Sequence, residues 1–176
     1  MNRLKIKFFC LVLLLPGSLT LVAQVNPSAT ATGSVFAEVI PVFTAIETSQ
    51  LNFGKFSPGS LGGEIILTPE GTISVMGSVH QGTGLYNPGS FYISGDPDSF
   101  FTITLPATEV KLQHSMSDKT MTLDNWMSTP GVGVGEGILK EGEQTVYIGA
   151  TLKVGPIYDN PVGVYSGTYT VTFDFN

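Results

Sequence analysis

The segment Ser166-Gly167-Thr168-Tyr169-Thr170-Val171-Thr172-Phe173-Asp174-Phe175-Asn176 alternates without a break. Tyr169, Val171, Phe173 and Phe175 fall on one side, and Thr168, Thr170, Thr172 and Asp174 on the other. Side chains along a strand point to opposite faces in turn, so a period of two predicts a strand with one apolar face to bury. A terminal segment frays unless a sheet holds it. What this strand pairs with is therefore the first question the chain poses, for fold and for function.

The remainder is written in the same idiom. Twenty-one Gly and eleven Pro punctuate short β-type runs, and no stretch sustains a helical period. The runs are 35–40, 42–46, 51–54, 64–68, 72–75, 90–94, 100–105, 120–123 and 144–152, separated by turn signals such as Ser57-Pro58-Gly59, Pro69-Glu70-Gly71 and Gly95-Asp96-Pro97-Asp98. Eight or nine short strands at this spacing predict an all-β fold, an immunoglobulin-like Greek-key β-sandwich. Residues 25–176 are read as one domain, with 25–40 either part of it or an N-terminal extension or donor strand. The Gly-rich stretch 128–137 is read as a loop, because it lacks the Gly-Lys-Ser/Thr ending and the following helix of a phosphate loop.

The other end reads as an address. Arg3, Lys5 and Lys7 precede the apolar run Phe8 to Leu15, and Leu21-Val22-Ala23-Gln24 closes the segment. This order predicts a cleaved secretory signal peptide over residues 1–24. The apolar run is far shorter than the ~20 residues that span a bilayer, and Pro16-Gly17 interrupts any longer candidate. Export to the periplasm, cell surface or extracellular space is expected, with no membrane association after cleavage.

Cleavage would remove Cys10, the only cysteine, so the mature domain would rest on its core without a disulfide. It would also leave five Lys against fourteen Asp and Glu, a net charge of −9 with no Arg. Nucleic acid and anionic membrane surfaces are poor partners for such a chain, since phosphate binding needs clustered basic residues.

Four motifs recur in order in one bacterial family: Leu51-Asn52-Phe53-Gly54-Lys55-Phe56, Phe100 to Pro106, Tyr147 to Leu152, and Tyr165 to Phe173. On these the chain resembles a secreted domain-of-unknown-function family (number 4402) related to spore coat protein U and, distantly, to chaperone–usher pilins. The pilin likeness lies in Phe175 as penultimate aromatic and Gly163 fourteenth from the end, with Tyr165, Tyr169, Val171 and Phe173 between them. It implies pairing by β-strand addition, in which backbone hydrogen bonds supply affinity and alternate side chains supply register. The implied partners are a periplasmic chaperone or identical subunits. Ala31, Gly33, Val35, Ala37 and Val39 resemble a donor strand, although Phe36 lies on the opposite face and the chain lacks the disulfide frequent in pilins.

Candidates for chemistry are few. His80 and His114 lack neighbours at metal-ligand spacing, and Asp96-Pro97-Asp98 lacks the further ligands of a calcium loop. Glu136, Glu141 and Glu143 read as solvated charge, and no serine sits in a Gly-x-Ser-x-Gly elbow. No enzymatic activity and no cofactor are expected. Trp126, with Asn125 and Tyr86, is the candidate contact for a surface glycan. Two readings follow: a structural or adhesive surface subunit that pairs by strand addition, or a self-contained monomeric adhesin or carbohydrate-binding module.

Overall fold

The computed structural model describes residues 27–40, 42–133 and 137–175. The expected signal peptide, with Cys10 in it, and Glu136 lie outside the described residues. The chain divides between Glu38 and Val39. In the first unit, the described residues 27–38 contain no strand and are all exposed, as are Val39 and Ile40 of the second. The run 35–40, read from its β-branched residues as a strand, is therefore unpaired, with Val35 97% and Val39 96% exposed. Alternation alone does not make a strand; its backbone groups also need a ladder to bond to.

The second unit is all-β, with no helix among the described residues. Its strands are β1 (Thr44–Ser49), β2 (Phe56–Leu67), β3 (Ile73–Gln81), β4 (Gly89–Ser94), β5 (Phe100–Thr104), β6 (Val110–His114), β7 (Thr120–Thr129), β8 (Gly137–Ile138), β9 (Glu143–Val154), β10 (Tyr165–Ser166) and β11 (Thr172–Phe175). An eight-stranded antiparallel sheet runs β1-β4-β9-β7-β6-β10, with β2 and β3 attached through β9, and a three-stranded sheet runs β11-β5-β8.

Strand β9 is the axis of the large sheet. One of its edges pairs with β4 along Glu143–Ile148 and then with β2 along Ala150–Val154, while the other pairs with β7. Gly149 marks the changeover, where any side chain would run into the Leu67 carbonyl. Two cores follow from this division. Ile65, Leu67, Met121, Leu123 and Leu152 pack around one half of β9. Ile93, Phe101, Ile103, Leu139, Val146 and Ile148 fill the space between the other half and the small sheet.

The sequence reading needs correction at four further places. The run 51–54 is not a strand but holds a single antiparallel bridge, Asn52 to Asn87. Ser57-Pro58-Gly59 is not a turn between elements; β2 passes through it with a register shift between Pro58 and Gly62. Strand β6 was not anticipated, because Val110-Lys111-Leu112-Gln113-His114 offers only two strongly apolar positions. The terminal alternation is not one strand but two. Tyr165–Ser166 pairs with β6 in the large sheet, residues 167–171 leave it, and Thr172–Phe175 pairs with β5 in the small one. The crossing occurs at Gly167, where a Cβ would lie 2.7 Å from the Lys111 carbonyl oxygen.

Phe101 anchors the second core. It is fully buried, its ring meets those of Phe43 and Phe173 at 6.1 and 6.2 Å, and Gly137 lies against it because no Cβ would fit there. Phe101→Ala should lower stability by about 3–5 kcal/mol, the usual result of emptying a large aromatic site. Denaturant unfolding should show this as a lower midpoint at an unchanged slope.

Candidate strand-pairing seam

Among the described residues, β1 pairs only with β4 and β11 only with β5, so each leaves one backbone edge free. The two edges flank the same core. Phe43, just before β1, meets Phe175 with ring centroids 5.3 Å apart. Toward the far end of β1, Glu47 stands opposite Phe91, whose ring meets that of Tyr169 edge-on at 6.2 Å. β1 and the segment 169–175 therefore run side by side in opposite directions, as the two lips of a seam.

Aromatic rings form the floor between the lips. Phe173 meets Phe91 at 5.6 Å, Tyr169 meets Phe91 edge-on at 6.2 Å, and Tyr169 stacks on Trp126 at 4.9 Å. Tyr169, Val171, Phe173 and Phe175 all pack on the core but are only half-buried. On the β1 lip, Ala45 stands opposite Ile93 and Glu47 opposite Phe91, so both share the inner face. Both are nevertheless exposed, although the Ile93 beside them is fully buried.

Strand β3 also has a free edge, but it is broken. Gly77 has φ +80° opposite the bulge in β2, and such a kink twists an edge away from further pairing. The β1 edge shifts register as well, between Glu47 and Ser49 at its far end, and Glu47 points inward, so the regular part of the seam is the stretch Thr44–Glu47 and the facing Thr172–Phe175.

Tyr169 controls one end of the seam. Its hydroxyl crosses β4 at Gly89, where no side chain could be accommodated, and makes no hydrogen bond although it is buried. Burial first, and the charge of Glu47 second, push its pKa up to about 12. A phenol whose pKa is raised on folding contributes stability below the unfolded value of about 10. That contribution is lost as pH rises from about 10 through about 12. Spectrophotometric titration should show one tyrosine ionising late, and Tyr169→Phe should remove both that step and the alkaline fall in stability across the window.

The remaining residues of the expected pairing set lie elsewhere. Gly163 is not in a strand, and Tyr165 belongs to β10 on the large sheet. They surround His114, which is buried at the end of β6. The Met116 amide donates to Nδ1 at 3.1 Å, so Nε2 carries the proton and donates to the Val162 carbonyl at 3.2 Å. The Tyr165 ring meets the imidazole edge-on at 4.9 Å, and the Tyr165 hydroxyl donates to the Pro161 carbonyl at 2.9 Å. A Cβ at Gly163 would overlap the imidazole, so His114 accounts for the glycine at this position. Gly163→Ala should lower the thermal midpoint by several degrees, and His114→Ala in the same chain should restore part of the loss.

The other candidates are also separated. Trp126 joins both cores and stacks on Tyr169, whereas Tyr86 is exposed in the β3–β4 loop. His80 is exposed on β3, and Glu143 accepts a hydrogen bond from the Tyr92 hydroxyl. Asp96-Pro97-Asp98 is a turn: Ser99 donates to the Asp96 carbonyl and Asp98 to that of Leu139. Among the described residues, no three His, Cys, Asp or Glu side chains come together as a metal site.

A family model described as Domain of unknown function (DUF4402) matches residues 43–175, from the first aromatic of the seam to the last. No match was found among curated proteins or among solved structures.

Proposed function

The chain belongs to the DUF4402 family, and we propose that it acts as an exported, non-enzymatic structural or adhesive surface subunit that pairs by β-strand addition. The observation that carries this reading is the seam: two free, oppositely directed strand edges flank a row of half-buried aromatic rings. An added strand would satisfy the backbone groups of both lips and cover the inner face of Ala45, Phe173 and Phe175. The immunoglobulin-like Greek-key description and the pilin-like mode of assembly belong to this proposal.

The occupant that fits is the segment containing Ala31, Gly33, Val35, Ala37 and Val39, which is exposed and strandless. Only residues 41–43 separate it from β1. Folded back into its own seam, it would have to run antiparallel to β1 and so parallel to 169–175. Supplied by a second copy, it is free of that tether and can run in either direction, antiparallel to one lip and parallel to the other. Identical subunits are the proposed partners, and a periplasmic chaperone would hold the same edges before assembly.

Removal of residues 29–40 should convert concentration-dependent oligomers of the exported chain to monomers in light scattering, and a peptide of residues 29–40 should then bind the monomer. A full-length exported chain that stays monomeric at all concentrations, with no peptide binding, would favour the self-contained module. Deletion of residues 170–176 should abolish folding or export. A soluble, folded, normally exported truncation would show that the aromatic lip is dispensable.

A further inference from the structure

A second surface carries features that strand addition does not use. Beside the end of β5 is an open cleft of about 590 Å³ lined by Thr104, Thr108, Glu109, Asp124, Asn125 and Trp126, among others. Asp124, Asn125 and Trp126 are consecutive, and in a regular strand they would alternate between faces. They line one cleft because the pairing of β7 with β9 slips between Asp124 and Met127. Asn125 sits at that bulge with φ +45°, in the left-handed region. Bulges of this kind re-aim side chains next to sites.

Two further observations mark the same wall. Asp124 Oδ1 and Trp126 Nε1, an acceptor and a donor, are buried and make no hydrogen bond. Orphaned polar atoms are uncommon in folded proteins and call for an explanation. The other Asp124 oxygen is held by Lys153, which also bonds Glu109 at 3.2 Å. Two carboxylates thus share one ammonium, and the cleft keeps a net negative charge that disfavours anions. Its lining includes the Trp126 indole, carboxylate and amide acceptors, and threonine hydroxyls.

We propose that this cleft is a binding subsite for a neutral saccharide. A pyranose ring has an apolar C–H face for the indole, and hydroxyls that can donate to the Glu109 carboxylate and exchange hydrogen bonds with the Asn125 amide and the threonine hydroxyls that line the cleft. It carries no charge for Glu109 and Asp124 to repel. The inference does not depend on strand addition, and it would give the subunit an adhesive contact beside the seam.

Trp126 is the only tryptophan of the chain, so its emission reports on the site without labelling. The exported chain is titrated with the methyl glycosides of glucose, galactose, mannose and N-acetylglucosamine, and with glucose 6-phosphate as the anionic counterpart. At least one neutral glycoside should change the emission saturably with an affinity of about 1 mM, the range for a single small ring. The phosphate should bind at least tenfold more weakly than its neutral parent. Asn125→Gly, which preserves the left-handed backbone, and Glu109→Gln should each weaken binding by about tenfold or more, at unchanged thermal midpoint for Glu109→Gln. Tyr86→Ala should leave binding as it is. No response to any glycoside up to about 100 mM, binding undiminished in both cleft variants, or equal binding of the phosphate would each overturn the proposal.

Discussion

The contact on which the second core depends is the packing of one alternating segment against the opposite sheet. Residues 169–175 supply Tyr169, Val171, Phe173 and Phe175 to a row of rings that continues through Phe91, Trp126, Phe101 and Phe43. Aromatic pairs of this kind add about 0.5–1.5 kcal/mol each beyond the area they bury. Six of the pairs in this core include a ring from the segment or Phe101. Without this segment, the small sheet would retain only β5 and the two residues of β8, too little to cover Ile93, Val146 and Ile148.

The same packing explains why the fold has a seam. Edge strands are ordinarily shortened, bulged or charged, because a free ladder invites another chain. This protein treats its edges differently from one another. β10 is two residues long, and β3 is kinked at Gly77. β1 and β11 lie open over half-buried rings, and the charge at Glu47 is the one inward-pointing obstacle described on the β1 lip. An inward carboxylate is one of the devices that restrain indiscriminate pairing at an edge.

Much of this architecture could be read from the residues. Ser90–Ser94, Phe100–Leu105 and Gln144–Leu152 carry strong β patterns and became β4, β5 and β9, and Pro69-Glu70-Gly71 became the β2–β3 turn, with Gly71 donating to the Thr68 carbonyl. The misses have physical causes. Val110–His114 has a weak pattern, and its partners β7 and β10 give it its place. The run 35–40 has a strong pattern but no ladder. Of the candidate site, Tyr169, Val171, Phe173 and Phe175 were legible as one apolar face, whereas Gly163 and Tyr165 looked continuous with them and serve His114 on the other sheet.

Local patterns were enough to place residues 42–175 in the all-β class, to locate most strands and to pick the face of the last segment that is buried, because a period of two and the placement of Gly and Pro are local properties. Which sheet receives that face, where the segment crosses at Gly167, and which edges stay free were decided only by tertiary structure. Strand pairing joins residues far apart in the chain: Phe175 lies opposite Phe101 and against Phe43. No local pattern encodes a partner at that distance. The bulge that turns Asp124, Asn125 and Trp126 to one side has the same origin, since a register slip exists only relative to the neighbouring strand.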